Sequence, residues 1–480
     1  MTESSPADPL HVDICVIGAG AAGLSVAAGC AQLGARTVLI ERGAMGGDCL
    51  NTGCVPSKAM LAAGHAAQIV RTAGRFGVTA SAPEVDFAAV HRHVHGVIAA
   101  IAPIDSVERF RALGVNVIQG SARFTGPDAL DVGGRRITAK RFVVATGSKA
   151  VAPPVPGLAE APYLTNETVF DLTECPEHLL VMGGGPIGCE LAQAHRRLGA
   201  KVTIVEMFSI LGRDDPEAAD VVRRQLKAEG IGILEGTRAE RVEARDGGIA
   251  LTVSRDGEET VLTGSHLLVA AGRAPVVDGL DLDKAGVKVG RAGVEVDAGL
   301  RTSNRRIFAA GDVAGGPQFT HIAGYHAGVL VRRLLFRMGW AKVDYRALPW
   351  VTYTEPELAQ AGLTEAQAAG KHGRLSVLRW SFAENDRAQA ERRTDGHMKV
   401  VATPKGKILG ATIVGAHAGE LIHPWVLAIQ NDIGMAKMSG YIAPYPTLGE
   451  IGKRTASSYY TPKLFSERTR RIVRMLLRLP

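Results

Sequence analysis

The chain has six cysteines, Cys15, Cys30, Cys49, Cys54, Cys175 and Cys189, and only two of them stand close together. Cys49 and Cys54 lie in GGDCLNTGCVPSK, residues 46–58. Side chains five apart do not share a face of one helix. A short loop leading into a helix near Cys54 would bring the two sulfurs together, and Gly53 and Pro56 suit that turn. A thiolate at a helix N-terminus also has a lowered pKa. A close pair with one acidified sulfur points to reversible thiol–disulfide chemistry. The other four cysteines read as small packing residues, with a third redox cysteine among them as the alternative. No zinc-type grouping of Cys and His is visible, so no metal site is expected.

The elements that must position this pair are announced by a repeat. Residues 13–41 read DICVIGAGAAGLSVAAGCAQLGARTVLIE, and residues 178–206 read HLLVMGGGPIGCELAQAHRRLGAKVTIVE. Each copy runs from an apolar strand through a Gly-rich turn and a helix to a second strand ending in Glu. Gly18 corresponds to Gly183, Gly34 to Gly199 and Glu41 to Glu206. Two copies of such a unit imply two nucleotide sites. In each, the first glycine (Gly18, Gly183) permits the tight turn. The second (Gly20, Gly185) lets a pyrophosphate approach the backbone, and the third (Gly23, Gly188) lets helix and strand pack closely. The helix N-terminus offers unpaired N–H groups to phosphate, and Glu41 and Glu206 can accept bonds from a ribose diol. A carboxylate at Glu206 suits a free 2′-hydroxyl and repels a 2′-phosphate. No cation immediately follows it, although Arg213 is nearby, so NADH is favoured over NADPH.

The rest of the composition bounds the answer. The formal charge of +7 is modest for 480 residues. The body lacks the clustered basic and aromatic residues of a nucleic-acid binder. The N-terminus, MTESSPADPL, is polar and lacks the pattern of a signal peptide. No window holds about 18 uninterrupted apolar residues, so no spanning helix is expected. A reducing cytoplasm is the expected location, where a cysteine pair is more often catalytic than structural. Residues 466–480 form a basic tail with Arg468, Arg470, Arg471, Arg474 and Arg478. Ile472, Met475, Leu476 and Leu479 would share one face of a helix there. Two readings stay open for the tail: a terminal helix packed on the body or partly disordered, which is the simpler, or a helix on a membrane surface.

Beyond the two Gly-rich units and the cysteine segment, the chain carries ATGS at 145–148 and AAGRAPV at 270–276. It also carries IFAAGDVAGGPQFTHIA at 307–323 and PYPTLGE at 444–450. With these motifs in this order, nearly the whole chain resembles the class I pyridine nucleotide–disulfide oxidoreductases: dihydrolipoamide dehydrogenase, glutathione reductase and mercuric reductase. The resemblance implies an α/β fold with two Rossmann-like dinucleotide-binding domains, for FAD and NAD, and a C-terminal α+β dimerisation domain. Residues 1–150 and 273–345 would bind FAD, 151–272 the pyridine nucleotide, and 346–465 would form the interface of a homodimer. It implies that Cys54 is the thiolate facing the flavin and that Cys49 exchanges with the acceptor. Lys58 and Glu190 would pair beside the reactive flavin nitrogen. Thr146, Gly147 and Ser148, Gly272 and Arg273, and Gly311 and Asp312 would belong to the cofactor sites, with Asp312 at the ribityl–phosphate region.

The departures bear on the acceptor. Thiol-substrate members carry His-Pro in the C-terminal motif, with a Glu orienting the His as acid–base; here Tyr445 precedes Pro446 and Glu450 follows. A tyrosine, with an ordinary pKa of about 10, is a poor general base near neutrality. The resulting setting is similar to mercuric reductase, yet the chain ends RRIVRMLLRLP without vicinal cysteines and lacks an added N-terminal metal-binding domain. Tyr445 and Glu450 would act across the dimer interface. His417, His423 and Tyr441 are read as structural hydrogen-bonding residues, with polar site residues as the alternative. Pro186 stands where several members have a tyrosine gating the nicotinamide. The leading expectation is therefore an NAD(P)H-dependent flavoprotein that passes electrons to a metal ion or a small disulfide. The alternatives are dihydrolipoamide dehydrogenase, or a flavin redox sensor or assembly subunit with little turnover.

Overall fold

The structure is a computed structural model and describes residues 8–479. Two parallel sheets hold the repeated units. In the first, Leu10–Ile17 lies between Thr37–Glu41 and Arg135–Val144, parallel to both, and Val115–Gln119 extends the edge beyond Thr37–Glu41. In the second, the parallel order is Gly232–Leu234, Lys201–Val205, His178–Met182, His266–Val269. Both central strands end in four consecutive buried residues, as parallel strands covered on both faces require. After the second unit the chain returns to the first sheet: Ile307–Ala309 pairs in parallel with the end of Arg135–Val144. Cys15, Cys30 and Cys189 are fully buried, and Cys175 is half-buried. All four fill space in or against apolar clusters.

The C-terminal part is built on a five-stranded antiparallel sheet, in the order Pro349–Thr352, Glu357–Gly362, Ile408–Gly415, His397–Ala402, Ser376–Ser381. It is tied to the second unit by Lys399, whose side chain is 1% exposed and reaches both oxygens of the equally buried Asp215 at 2.8 Å. Glu217 and Glu365 complete the cage at 2.8 and 3.1 Å. Two helices from different units cross beneath the cysteines: Cys54–Thr72 and Pro186–Leu198. Gly64 sits at the crossing, where a Cβ would lie 3.3 Å from the Ala194 carbonyl oxygen. The missing side chain allows the two backbones to approach.

Two stretches bear on the membrane and tail expectations. Residues Phe87–Ala112 reach the length and mean hydropathy of a spanning helix. They are three pieces, Phe87–Ile101, a 3-10 turn at Ala102–Asp105 with Pro103 in its first turn, and Val107–Ala112. The longest, 15 residues, would extend about 22 Å, short of a hydrocarbon core of about 30 Å. The tail does form a helix, Glu467–Leu476, but none of its residues is buried. Packing of the tail on the body, one of the readings left open, is therefore not found among the described residues.

Candidate active site

The duplicated sequence produces duplicated bonds. In the first unit, Glu41 Oε2 accepts the Ala19 N–H at 2.6 Å and Oε1 accepts the Gly43 N–H at 2.7 Å. In the second, Glu206 Oε2 accepts the Gly184 N–H at 2.6 Å and Oε1 the Phe208 N–H at 2.9 Å. Each carboxylate thus braces its Gly-rich turn and keeps lone pairs for a diol. At Gly23 and Gly188 a Cβ would lie within 1.8 and 2.0 Å of the Gly18 and Gly183 carbonyl oxygens, so close packing at the third glycine is real in both units. Around Gly20 and Gly185 there is open space. One continuous cleft of about 2370 Å³ runs past both turns and past Cys49, Cys54, Lys58 and Glu190.

The two cysteines both line this cleft. Cys49 lies on a short helix, Gly47–Asn51, rather than on a loop; after Thr52 and Gly53 the long helix begins with Cys54 itself. Cys54 therefore stands at a helix N-terminus, and Thr320, the first residue of the helix Thr320–Leu334, brings its hydroxyl to 3.4 Å from the Cys54 sulfur. A hydrogen bond from the Cys49 thiol, helped by Thr320 and the Lys58 ammonium, outweighs burial and pulls Cys54 down to about 6. The same sharing, together with burial, pushes Cys49 up. The pair is asymmetric, with a thiol at Cys49 and a thiolate at Cys54 in the neutral range.

Lys58, one turn along the Cys54 helix, meets Glu190 from the crossing helix at 2.8 Å. Glu190 is buried, at 4% exposure, and not the surface residue its helix position could have made it. Burial opposes the Lys58 charge, but Glu190 prevails and the lysine pKa is raised. Tyr353, absent from the sequence expectation, completes this corner. Its N–H donates to Glu190 Oε1 at 2.9 Å, and its ring lies 4.4 Å below the Lys58 nitrogen.

A second polar chain joins the redox loop to the phosphate side. Ser148 donates to Asp312 at 2.6 Å, Arg273 donates to Ser148 at 2.8 Å, and Arg273 reaches Asp48, next to Cys49, at 3.2 Å. Burial raises the Asp312 pKa, partly offset by Ser148. Asn166 donates to Asp48 at 2.9 Å and to the Thr52 carbonyl at 3.1 Å, gripping the loop between the two cysteines. Asp48 and Asn166 were not singled out by sequence; an acidic residue inside the cysteine motif was the available signal. Thr146 donates to the Val276 carbonyl at 2.6 Å. Gly147, Gly272 and Gly311 all take positive φ in the cleft wall. Pro186 opens its helix there.

Tyr445 and Glu450 are not brought to the cysteines within one protomer and do not line the cleft. Tyr445 is 69% exposed, and its hydroxyl is held by Asp386 at 2.9 Å, not by Glu450. That bond to Asp386 raises the tyrosine pKa. His417 meets Arg393 at 3.3 Å. His423 and Tyr441 make no side-chain hydrogen bond among the described residues, against expectation, and His423 lines the cleft. Among the described residues no three His, Cys, Asp or Glu side chains converge as a metal site.

Comparison with known proteins agrees with this geometry. The sequence pattern of the pyridine nucleotide-disulphide oxidoreductases matches residues 12–327, and that of their dimerisation domain matches 348–456. The chain is 36% identical over 442 residues to a mercuric reductase of Bacillus cereus, covering 91% of this chain and 70% of that protein. It is 33% identical over 456 residues to a dihydrolipoyl dehydrogenase of Geobacillus stearothermophilus, covering 93% and 96%. Among solved structures, a Cu(II) complex of the HOCl-induced flavoprotein disulfide reductase RclA from Escherichia coli superposes with a TM-score of 0.83 at 28% identity, covering 93% of this chain and 99% of that one.

Proposed function

The chain belongs to the pyridine nucleotide-disulphide oxidoreductases, FAD-dependent enzymes drawing on NAD(P)H, and on that premise we propose that it uses NADH to reduce a metal ion or a small disulfide through Cys49 and Cys54. The observation that carries this reading is the asymmetric pair itself: an acidified Cys54 at a helix N-terminus, beside the Lys58–Glu190 ion pair, in a cleft shared by two Gly-rich turns.

The cleft fits the cofactors, since open space at Gly20 and Gly185 leaves room for a pyrophosphate in each unit. Residues 1–150 and 273–345 are assigned to FAD, with Glu41, Ser148, Arg273 and Asp312 as its polar partners. Residues 151–272 are assigned to the nicotinamide nucleotide, and 346–465 to the dimer interface. Bound there, FAD supplies two-electron transfer between the nicotinamide and the cysteine pair. Two electrons and one proton convert the Cys49–Cys54 disulfide into a Cys49 thiol and a Cys54 thiolate. Lys58 fixes a positive charge beside the thiolate, and buried Glu190 keeps that lysine charged and in place. Cys49, the protonated partner, is the sulfur free to exchange with the acceptor. NADH is favoured because Glu206, braced by two N–H groups, presents a carboxylate where a 2′-phosphate would need a cation.

The acceptor follows from Tyr445. A hydroxyl whose pKa is raised by Asp386 can donate a hydrogen bond but cannot take up protons near neutrality. Reduction of a metal ion releases no thiolate that must be protonated, and one structural relative is described as a Cu(II) complex. Dihydrolipoamide oxidoreduction is the second reading, favoured by the 33% identity to a dihydrolipoyl dehydrogenase. NADH oxidation with lipoamide as sole acceptor separates the two. The metal-ion reading expects slow lipoamide turnover, raised in Tyr445→His by at least about tenfold. Fast turnover by the unaltered protein would transfer the assignment to the second reading.

A further inference from the structure

The tail helix Glu467–Leu476 and residues 477–479 present an apolar face that the other described residues leave uncovered. Ile472, Val473, Met475, Leu476, Leu477 and Leu479 are between 45% and 79% exposed. At about 100° per residue these side chains and Thr469 span an arc of roughly 200°. Arg470, Arg471, Arg474 and Arg478 crowd the opposite arc, and Arg468 falls inside the apolar one, between Met475 and Leu479. Five arginines stand against one carboxylate, Glu467, which pairs with Arg470 at 3.1 Å. Ser466 caps the helix by accepting the Thr469 N–H at 3.2 Å.

We propose that this helix lies on an anionic phospholipid surface, with its apolar face in the headgroup–acyl boundary and its arginines on the lipid phosphates. Charge selects the occupant. A wide apolar face bordered almost only by arginines matches a surface that is apolar below and negative above. A second tail helix would cover the apolar face but leave its arginines without an anionic partner. The helix also begins beyond residues 348–456, the span matched to the dimerisation domain. Its ten residues extend about 15 Å, half a hydrocarbon core, which suits lying in the plane and not spanning. A dimer would present two such helices, and joint engagement would strengthen two weak anchors. The proposal does not depend on the identity of the electron acceptor.

The test is sedimentation of the full-length FAD-loaded protein with vesicles of phosphatidylcholine alone and of phosphatidylcholine mixed with phosphatidylglycerol. Binding is expected to the mixed vesicles only, falling as salt rises. Arg470→Glu with Arg474→Glu, and separately Ile472→Ser with Leu476→Ser, should each weaken binding by at least about tenfold. Both should leave NADH-dependent flavin reduction and the dimeric mass unchanged. Absence of binding to the mixed vesicles, or equal binding by the variants, would overturn the proposal. So would a protein lacking residues 466–480 that sediments as a monomer, which would give the apolar face to a second copy.

Discussion

Cys54 is acidified by neighbours from three parts of the chain: Cys49 five residues before it, Lys58 one helical turn after it, and Thr320 at the start of a distant helix. Its thiolate should therefore be present above about pH 6 and be protonated below it. In the reduced FAD-loaded protein the long-wavelength thiolate–flavin absorbance should titrate with that midpoint. Lys58→Met should move the midpoint up by roughly one unit, because a cation that favours the thiolate is lost; an unmoved midpoint would remove Lys58 from the thiolate's surroundings. The pair, Lys58 and Glu190 were legible in sequence because they sit in recognisable motifs. Tyr353 was not, because it lies outside every motif, and Thr320, although inside the 307–323 motif, was not because a threonine signals no role by itself. Tyr445 was legible as a departure, but its partner was not: Asp386 comes from a separate short helix, Asp386–Ala390.

At the scale of elements, the duplicated unit was the most readable feature, down to the side-chain bonds of Glu41 and Glu206, which recur at one offset. The crossing of Cys54–Thr72 with Pro186–Leu198 was not readable, since periodicity gives a helix its buried face but not its partner. Glu355 shows how that crossing is fastened to the third sheet. It takes Arg197 from one helix at 2.6 Å, His65 from the other at 2.8 Å, and Arg393 at 2.6 Å. Burial alone would raise its pKa, but His65 and Arg197 overcome it and hold the group at about 2. A carboxylate depressed in the folded state adds stability that is fully present above its unfolded pKa, about 4.3, and is lost as pH falls toward 2. Glu355→Gln should lower stability at neutral pH by about 2 kcal/mol and flatten its decline between about pH 4.5 and 2. Thermal unfolding measured across that range checks both; an unchanged acid limb would show that Glu355 does not drive it.

For the whole molecule, the order of motifs made the architecture legible: two nucleotide units, a return to the first sheet, then an antiparallel interface sheet. The joints were less so. Lys399 in the interface sheet reads as an ordinary strand lysine, yet it is caged by Asp215, Glu217 and Glu365 and ties that sheet to the nucleotide unit. The tail was legible as basic and amphipathic, but its lack of cover is a property of the folded surface. Tyr445 does not line the cleft of its own protomer; in a homodimer, which the dimerisation-domain match supports, we propose that it completes the acceptor site of the second protomer.

The most direct test of the account is an anaerobic titration of the FAD-loaded protein with NADH, followed by absorbance, in the unaltered chain, Cys49→Ser and Cys54→Ser. With one cysteine replaced, the other is already a free thiol. The account predicts that two-electron reduction brings up the long-wavelength thiolate–flavin band in the unaltered protein, that Cys49→Ser shows the band before any NADH is added, and that Cys54→Ser never shows it. A band in Cys54→Ser, or reduction of the unaltered protein without the band, would contradict the assignment of Cys54 as the sulfur that meets the flavin.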